Sequence, residues 1–148
     1  MDYKTPESVL VLVHTPALQI LLLERARHPG YWQSVTGSLE AGELPRETAR
    51  RELFEETGIE ADPAALQDWR LANRFEILQL WRHRYAPGVT HNVEHVFSLC
   101  VPEAAPVQLA QDEHRDQCWL SWQDAADRCF SWTNRDAIAM LAQRDPTI

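Results

Sequence analysis

The segment from Gly37 to Ile59, GSLEAGELPRETARRELFEETGI, constrains the fold of this chain more than any other. Two glycines over Gly37 to Leu44 predict a loop. Pro45 suits the first turn of a helix, where its missing N–H costs nothing. The helix should run to about Thr57 and stop at Gly58, which tolerates the left-handed conformation of a helix end. With Leu53 facing inward, Ala49 falls on the same face one turn earlier. At about 100° per residue, Glu56 then sits at roughly −60°, Glu52 at roughly −100° and Glu55 at roughly −160°. Three carboxylates therefore share one stripe beside the buried face.

Local physics opposes that arrangement. Glu52 and Glu56 form a like-charge i,i+4 pair, at a cost of roughly a few tenths of a kcal/mol. Both lie in the second half of the helix, where the macrodipole disfavours anions. A solvated, Glu-rich face is the bland explanation; a bound cation is the one that removes the conflict. Mg2+ is the natural candidate, with Mn2+ as a substitute. It is a hard ion, and it is usually held by a few carboxylates together with substrate phosphate oxygens.

The spacing decides between them. Gly37, five residues, Glu43, seven residues, then Arg51-Glu52-Leu53-Phe54-Glu55-Glu56-Thr57-Gly58-Ile59 fills every defined position of the Nudix box. Average residue usage puts a chance match at a given start on the order of one in a billion. The chain thus resembles the Nudix hydrolases, which cut nucleoside diphosphates linked to another group. The resemblance implies an α/β/α sandwich around a mixed β-sheet, as one domain over residues 1–148. It implies a metal-ligand set of Glu52, Glu55 and Glu56, with Glu52 and Glu56 as direct ligands. Arg51 and Glu43 would brace the loop against the helix. Gly37 would give the backbone room to turn, and the Thr36 carbonyl would reach toward the metal.

Three further segments resemble one subfamily, the bacterial dihydroneopterin triphosphate diphosphatases of folate synthesis. They are Tyr31 to Ser38 (YWQSVTGS), His83 to Thr90 (HRYAPGVT) with Asn92 following, and Ser131 to Arg135 (SWTNR). Enzymes that sanitise oxidised guanine nucleotides usually enter the box through Pro-Gly-Gly, whereas here the entry is Val35-Thr36-Gly37. This resemblance implies hydrolysis of 7,8-dihydroneopterin 3′-triphosphate to the monophosphate and pyrophosphate. Glu113 would join the metal site or act as base. Lys4, Arg25 and Thr36 would lie near the substrate, Phe75-Glu76-Ile77-Leu78 along its pocket, and Ser131 would supply a polar contact. Phe75 beside Glu76 suits stacking on a pterin and accepting its ring N–H groups. Arg82-His83-Arg84-Tyr85 either supplies cations to the phosphates or braces a loop. A Nudix enzyme acting on dATP or oxidised dGTP is the alternative reading, and a non-catalytic Nudix-like module a more distant one.

The rest of the chain is consistent with a single layered domain. Ser8 to His14 and Gln19 to Glu24 read as strands around a Thr15-Pro16-Ala17 turn, and Tyr31 to Thr36 as a third. Trp69 to Tyr85 carries strand-like material ending at Ala86-Pro87-Gly88, and Val93 to Val101 is another strand. Pro102 to Gln111 reads as a loop, Trp119 to Trp122 as a short apolar piece, and Gln123 to Cys129 as a helical turn. Thr133 or Asn134 should cap a last helix ending near Arg144, before Asp145-Pro146. Trp32, Trp81, Trp119, Trp122 and Trp132 are expected in the core.

A net charge of −8 and the absence of a Lys/Arg block exclude a nucleic-acid-polymer binder. A small-molecule triphosphate is still compatible, because divalent cations stand between it and the acidic protein. Cys100, Cys118 and Cys129 form no CxxC pair, so reduced thiols and no zinc are expected. No apolar run approaches the roughly 18 residues of a membrane span, and the first residues do not resemble a signal peptide. A cytoplasmic protein is the expectation.

Overall fold

The computed structural model describes residues 2–144. Its framework is a seven-stranded mixed sheet between one helix and a pair of helices. The strands are β1 (Glu7–His14), β2 (Gln19–Arg25), β3 (Trp32–Gln33), β4 (Val35–Ser38), β5 (Gln67–Glu76), β6 (His91–Cys100) and β7 (His114–Ser121). The helices are α1 (Pro45–Thr57), α2 (Trp122–Arg128) and α3 (Trp132–Gln143), with a 3-10 segment at Gln79–Arg84.

β1 is buried along both faces and organises the rest. Alternate residues point to opposite sides of a strand. Val9, Val11 and Val13 therefore pack with Ala49 and Leu53 of α1, while Leu10 and Leu12 pack with Ala125, Ala137 and Ile138 of α2 and α3. This is the expected sandwich. β1 runs parallel to β6 over its whole length. On its other side it meets β2 only at His14↔Ile20, then pairs β4 from Val11↔Val35 to Ser8↔Ser38. β2 has meanwhile turned away to pair with β3 and β7.

Several boundaries differ from expectation. The anticipated strand over Tyr31 to Thr36 is two strands, β3 on β2 and β4 on β1, broken at Ser34. The break has a cause in α3. Asn134 accepts the Ser34 N–H at 2.8 Å and donates to its hydroxyl at 3.0 Å, so the Ser34 backbone leaves the ladder. Asn134 and Thr133 are buried and neither caps α3, which starts after Ser131. Gly37 and Ser38, expected in a loop, extend β4, because the exposed edge of β1 offers their backbone a partner.

Trp69 to Tyr85 is strand only to Glu76. Beyond it, Arg82 Nε binds the Ile77 carbonyl at 3.0 Å and closes the 3-10 turn. Of the Trp119 to Trp122 piece, Trp119 to Ser121 belongs to a longer strand, β7, whose polar first half had no alternation to reveal it, and Trp122 opens α2. The Asp145-Pro146 stop lies outside the described residues. Among the described residues, no helix is long and apolar enough to cross a membrane.

Replacing Asn134 with alanine leaves the buried Ser34 groups without partners. We expect Asn134→Ala to lower unfolding stability by about 2 kcal/mol, read from urea denaturation.

Candidate active site

Helix α1 begins at Pro45, with the Glu47 carboxylate accepting the Leu44 N–H at 2.8 Å. It ends at Gly58, which is left-handed with φ 75°. Between them Arg51 gathers the acids. Its Nε and Nη2 donate to the two oxygens of Glu43 at 2.8 and 2.9 Å, a bidentate pair. Nη1 donates to Glu52 at 2.8 Å and to Glu55 at 3.3 Å, and Nη2 also reaches the Ser38 carbonyl at 3.1 Å. Glu43 accepts in addition from the Thr48 hydroxyl and the Glu40 N–H. The Arg51 hydrogen bonds hold the Glu43 carboxyl down at about 2.

Glu56 is in the opposite condition. It is 1% exposed, and neither carboxylate oxygen has a hydrogen-bond partner among the described residues. His114 Nε2 lies 3.7 Å from one of them. Burial holds that imidazole down at about 4, so at neutral pH it offers no charge. Burial first, then the neighbouring Glu52 and Glu113, pushes the Glu56 carboxyl well above the usual range. Glu113 is raised too, by burial and then by Glu52. The mutual effects of Glu52, Glu56 and Glu113 place these carboxylates around one region. Glu55 stands further out, with its side chain half exposed on Arg51.

Unpartnered, buried carboxylate oxygens of this kind suit a hard divalent cation. Among the described residues, no three His, Cys, Asp or Glu side chains form a closed metal cage. Such an ion would therefore take part of its shell from phosphate and water.

Gly37 has a role other than the expected one. Its φ is not in the left-handed region, and it lies within β4 opposite Val9. A Cβ there would stand 2.1 Å from Glu52 Cδ. The glycine is needed as empty space for the Glu52 carboxyl.

Glu52 and Glu113 line a cleft of about 800 Å³, where β1 and β2 have parted. Lys4, Arg25 and Arg84 line it as cations. Burial, then Arg84 and Arg25, lowers the Lys4 ammonium to about 8. Arg25 lies 4.8 Å above the Trp81 ring, donates to Gln33 at 3.4 Å, and leaves Nε buried without a partner. Phe75, Glu76, Ile77, Leu78 and Ser131 all line the same cleft, as does Thr36, whose hydroxyl donates to the Val9 carbonyl. Within Arg82 to Tyr85 the two readings divide by residue: Arg82 braces the loop and pairs with Glu76 at 2.6 Å, whereas Arg84 faces the cleft.

Two of the tryptophans expected in the core are elsewhere. Trp81 joins His28, Tyr31 and Phe130 in an aromatic cluster on the cleft, and Trp132 is 48% exposed at its rim. Sequence reasoning also missed His114, Gln33 and Glu94. All three are buried and line the cleft. None of the three carried a usable signal: Glu94 shares its strand face with Asn92, Val96 and Ser98, an alternation too polar to mark it as buried.

Residues 4–141 match the NUDIX domain model. The chain is 41% identical over 141 residues to the dihydroneopterin triphosphate diphosphatase of Haemophilus influenzae, covering 93% of this chain and 88% of that protein. It is 42% identical over 139 residues to the Escherichia coli K12 protein of the same name, covering 92% and 91% respectively. The solved E. coli dihydroneopterin triphosphate pyrophosphohydrolase superposes with a TM-score of 0.89 at 40% identity, over 95% of this chain and 97% of that one.

Two outcomes follow from the geometry. Gly37→Ala should fold but displace the Glu52 carboxyl, lowering turnover about 100-fold, as misplacement by about an ångström does. Unchanged turnover in that variant would show that the contact is tolerated. Glu43 is depressed from 4.5 to about 2 in the fold, so its contribution is full above pH 4.5 and fades as pH falls toward 2. Denaturation of wild type and Glu43→Gln at pH 7 and pH 3 should show the gap between them narrowing in acid.

Proposed function

The chain belongs to the Nudix hydrolase family, and from that premise we propose that it hydrolyses 7,8-dihydroneopterin 3′-triphosphate to the monophosphate and pyrophosphate, with Mg2+ as its metal and Mn2+ able to substitute. The observation that carries this reading is the pairing of two opposite features in one cleft. Glu52 and Glu113 line an acidic end next to the buried, unpartnered Glu56, and Lys4, Arg25 and Arg84 form a cationic wall. A triphosphate with a divalent ion would satisfy both, since phosphate oxygens accept from the cations and the ion would supply the positive charge that the carboxylates lack.

When bound, the ion neutralises phosphate oxygens and lowers the pKa of the attacking water. Glu52 and Glu56 would hold it, with Glu55 and Glu113 completing the acidic set. Glu113 takes the water's proton, and its raised pKa makes it a better base than an ordinary surface glutamate. Arg51 and Glu43 keep Glu52 in place from behind. Lys4 and Arg25 orient the phosphates, which is most of what phosphoryl chemistry asks of a protein. Phe75, Ile77 and Leu78 supply the apolar side of the pocket, Glu76 and Ser131 its polar contacts, and Thr36 lines it at the β4 edge, where its carbonyl would reach toward a bound metal.

Release of pyrophosphate from dihydroneopterin triphosphate, dATP and 8-oxo-dGTP with Mg2+ tests the substrate. The pterin compound should give the highest kcat/KM, and equal efficiency on all three would overturn the assignment. Glu56→Gln should lose about 100-fold or more in turnover while the metal-free protein melts no lower, because a raised carboxyl destabilises the fold once pH exceeds its ordinary range. Lys4 is charged below about 8, so the wild-type KM should climb as pH passes that value. Lys4→Met should start about tenfold higher at pH 7 and show no such climb.

A further inference from the structure

Asn92 and Glu94 stand two residues apart on β6, so their side chains share one face of the sheet. That face is the α3 side, where Ser8 of β1 lies opposite Glu94 in register and Phe75 of β5 lies opposite Asn92. All four residues line the cleft. Asn92 is 3% exposed and Glu94 5%.

Both are polar groups without full satisfaction. Asn92 donates to the Ser8 hydroxyl at 2.7 Å, which leaves its Oδ1 buried with no partner. Glu94 Oε1 is likewise buried with no partner. Among the described residues no lysine, arginine or histidine pairs with Glu94, although a buried carboxylate ordinarily requires a cation or several donors. The Thr133 hydroxyl is the group beside it that favours its charge. The cleft therefore presents two acceptor oxygens on one face of β6, Asn92 Oδ1 and Glu94 Oε1, that have no partner among the described residues.

We propose that Asn92 and Glu94 read the edge of the substrate's ring, by accepting a ring N–H and the amino group next to it. This rests on the reading of the chain as a pterin triphosphate hydrolase, and it names what selects the ring. A 2-amino-4-oxopyrimidine edge, shared by pterins and guanine, offers two donors side by side. Adenine and cytosine set an amino group beside a ring acceptor, which meets an ionised carboxylate with two lone pairs facing each other. Burial raises the Glu94 carboxyl to about 7, so this discrimination is full only above that pH and is measured at pH 8 or higher. Phe75, half-buried beside Asn92, supplies an apolar surface for stacking. Glu76 is less suited to the task, because its carboxylate is two-thirds exposed and taken up by Arg82.

The test is the ratio of kcat/KM for dihydroneopterin triphosphate to that for dATP, in wild type, Glu94→Gln and Glu94→Asp. Glutamine keeps the volume but turns an N–H pair toward the ring's donors, so the ratio should fall about 10- to 100-fold, mainly through KM. Aspartate keeps the acceptor and should recover part of it, an outcome a merely structural role would not produce. A ratio within twofold of wild type in Glu94→Gln would overturn the inference. If Glu94→Gln fails to fold, Glu94→Asp and Asn92→Ser take its place, and a ratio within twofold of wild type in both would overturn the inference. If the wild-type protein hydrolyses no pterin triphosphate, the proposed substrate falls by itself. The ring-edge assignment is then judged on dGTP against dATP: a preference for dGTP that Glu94→Gln abolishes upholds it, and a ratio unchanged by the substitution, or no preference to begin with, overturns it.

Discussion

The Arg51 guanidinium is the point on which the site depends. Four glutamates lie within 4 Å of it, Glu40, Glu43, Glu52 and Glu55, and without it their repulsion would spread the loop and the helix apart. A planar, permanently charged fork can hold Glu43 with two parallel bonds while giving its remaining N–H to Glu52, which a lysine could not do. The pair is only partly exposed, so it is screened less than an ordinary surface ion pair. Glu43 is thereby spent on structure. Glu52 is kept at the edge of β4, where the absence of a side chain on Gly37 leaves room for it.

Glu56 shows why one arginine is not enough. It lies beyond that network, fully buried, with Glu52 and Glu113 as electrostatic neighbours. A cation at that place would convert an unfavourable burial into a coordination shell. The conflict first visible as a like-charge pair on a helix thus persists through folding instead of being relieved by it. Sites of this sort are where local rules fail for functional reasons.

The cleft itself arises from backbone pairing. β1 cannot pair fully with both β2 and β4, and the change of partner occurs at Ser34, held by Asn134. The parting of β1 from β2 opens the space into which Arg25, Gln33 and His114 project. The SWTNR segment noted in the sequence is explained in part by this clamp. HRYAPGVT is explained in part by Arg84, whose carbonyl accepts the Lys4 N–H at 2.9 Å and holds Lys4 beside the site, and by Thr90, whose carbonyl accepts the Ile77 N–H at 2.8 Å.

What could be read from the amino acids alone was everything with a short-range cause. The helix from Pro45 to Gly58, the carboxylate stripe and the strands around Thr15-Pro16-Ala17 follow from periodicity and end residues, while the Glu43–Arg51 brace was what the resemblance to the Nudix box implied. Contacts made across long separations were not legible. Ser34 with Asn134, Gly37 with Glu52, and the buried trio of Glu94, His114 and Gln33 acquire meaning only once the sheet has brought distant strands together. A side chain's charge state and freedom depend on what desolvates it. That is decided by neighbours far along the chain, which only the tertiary structure supplies.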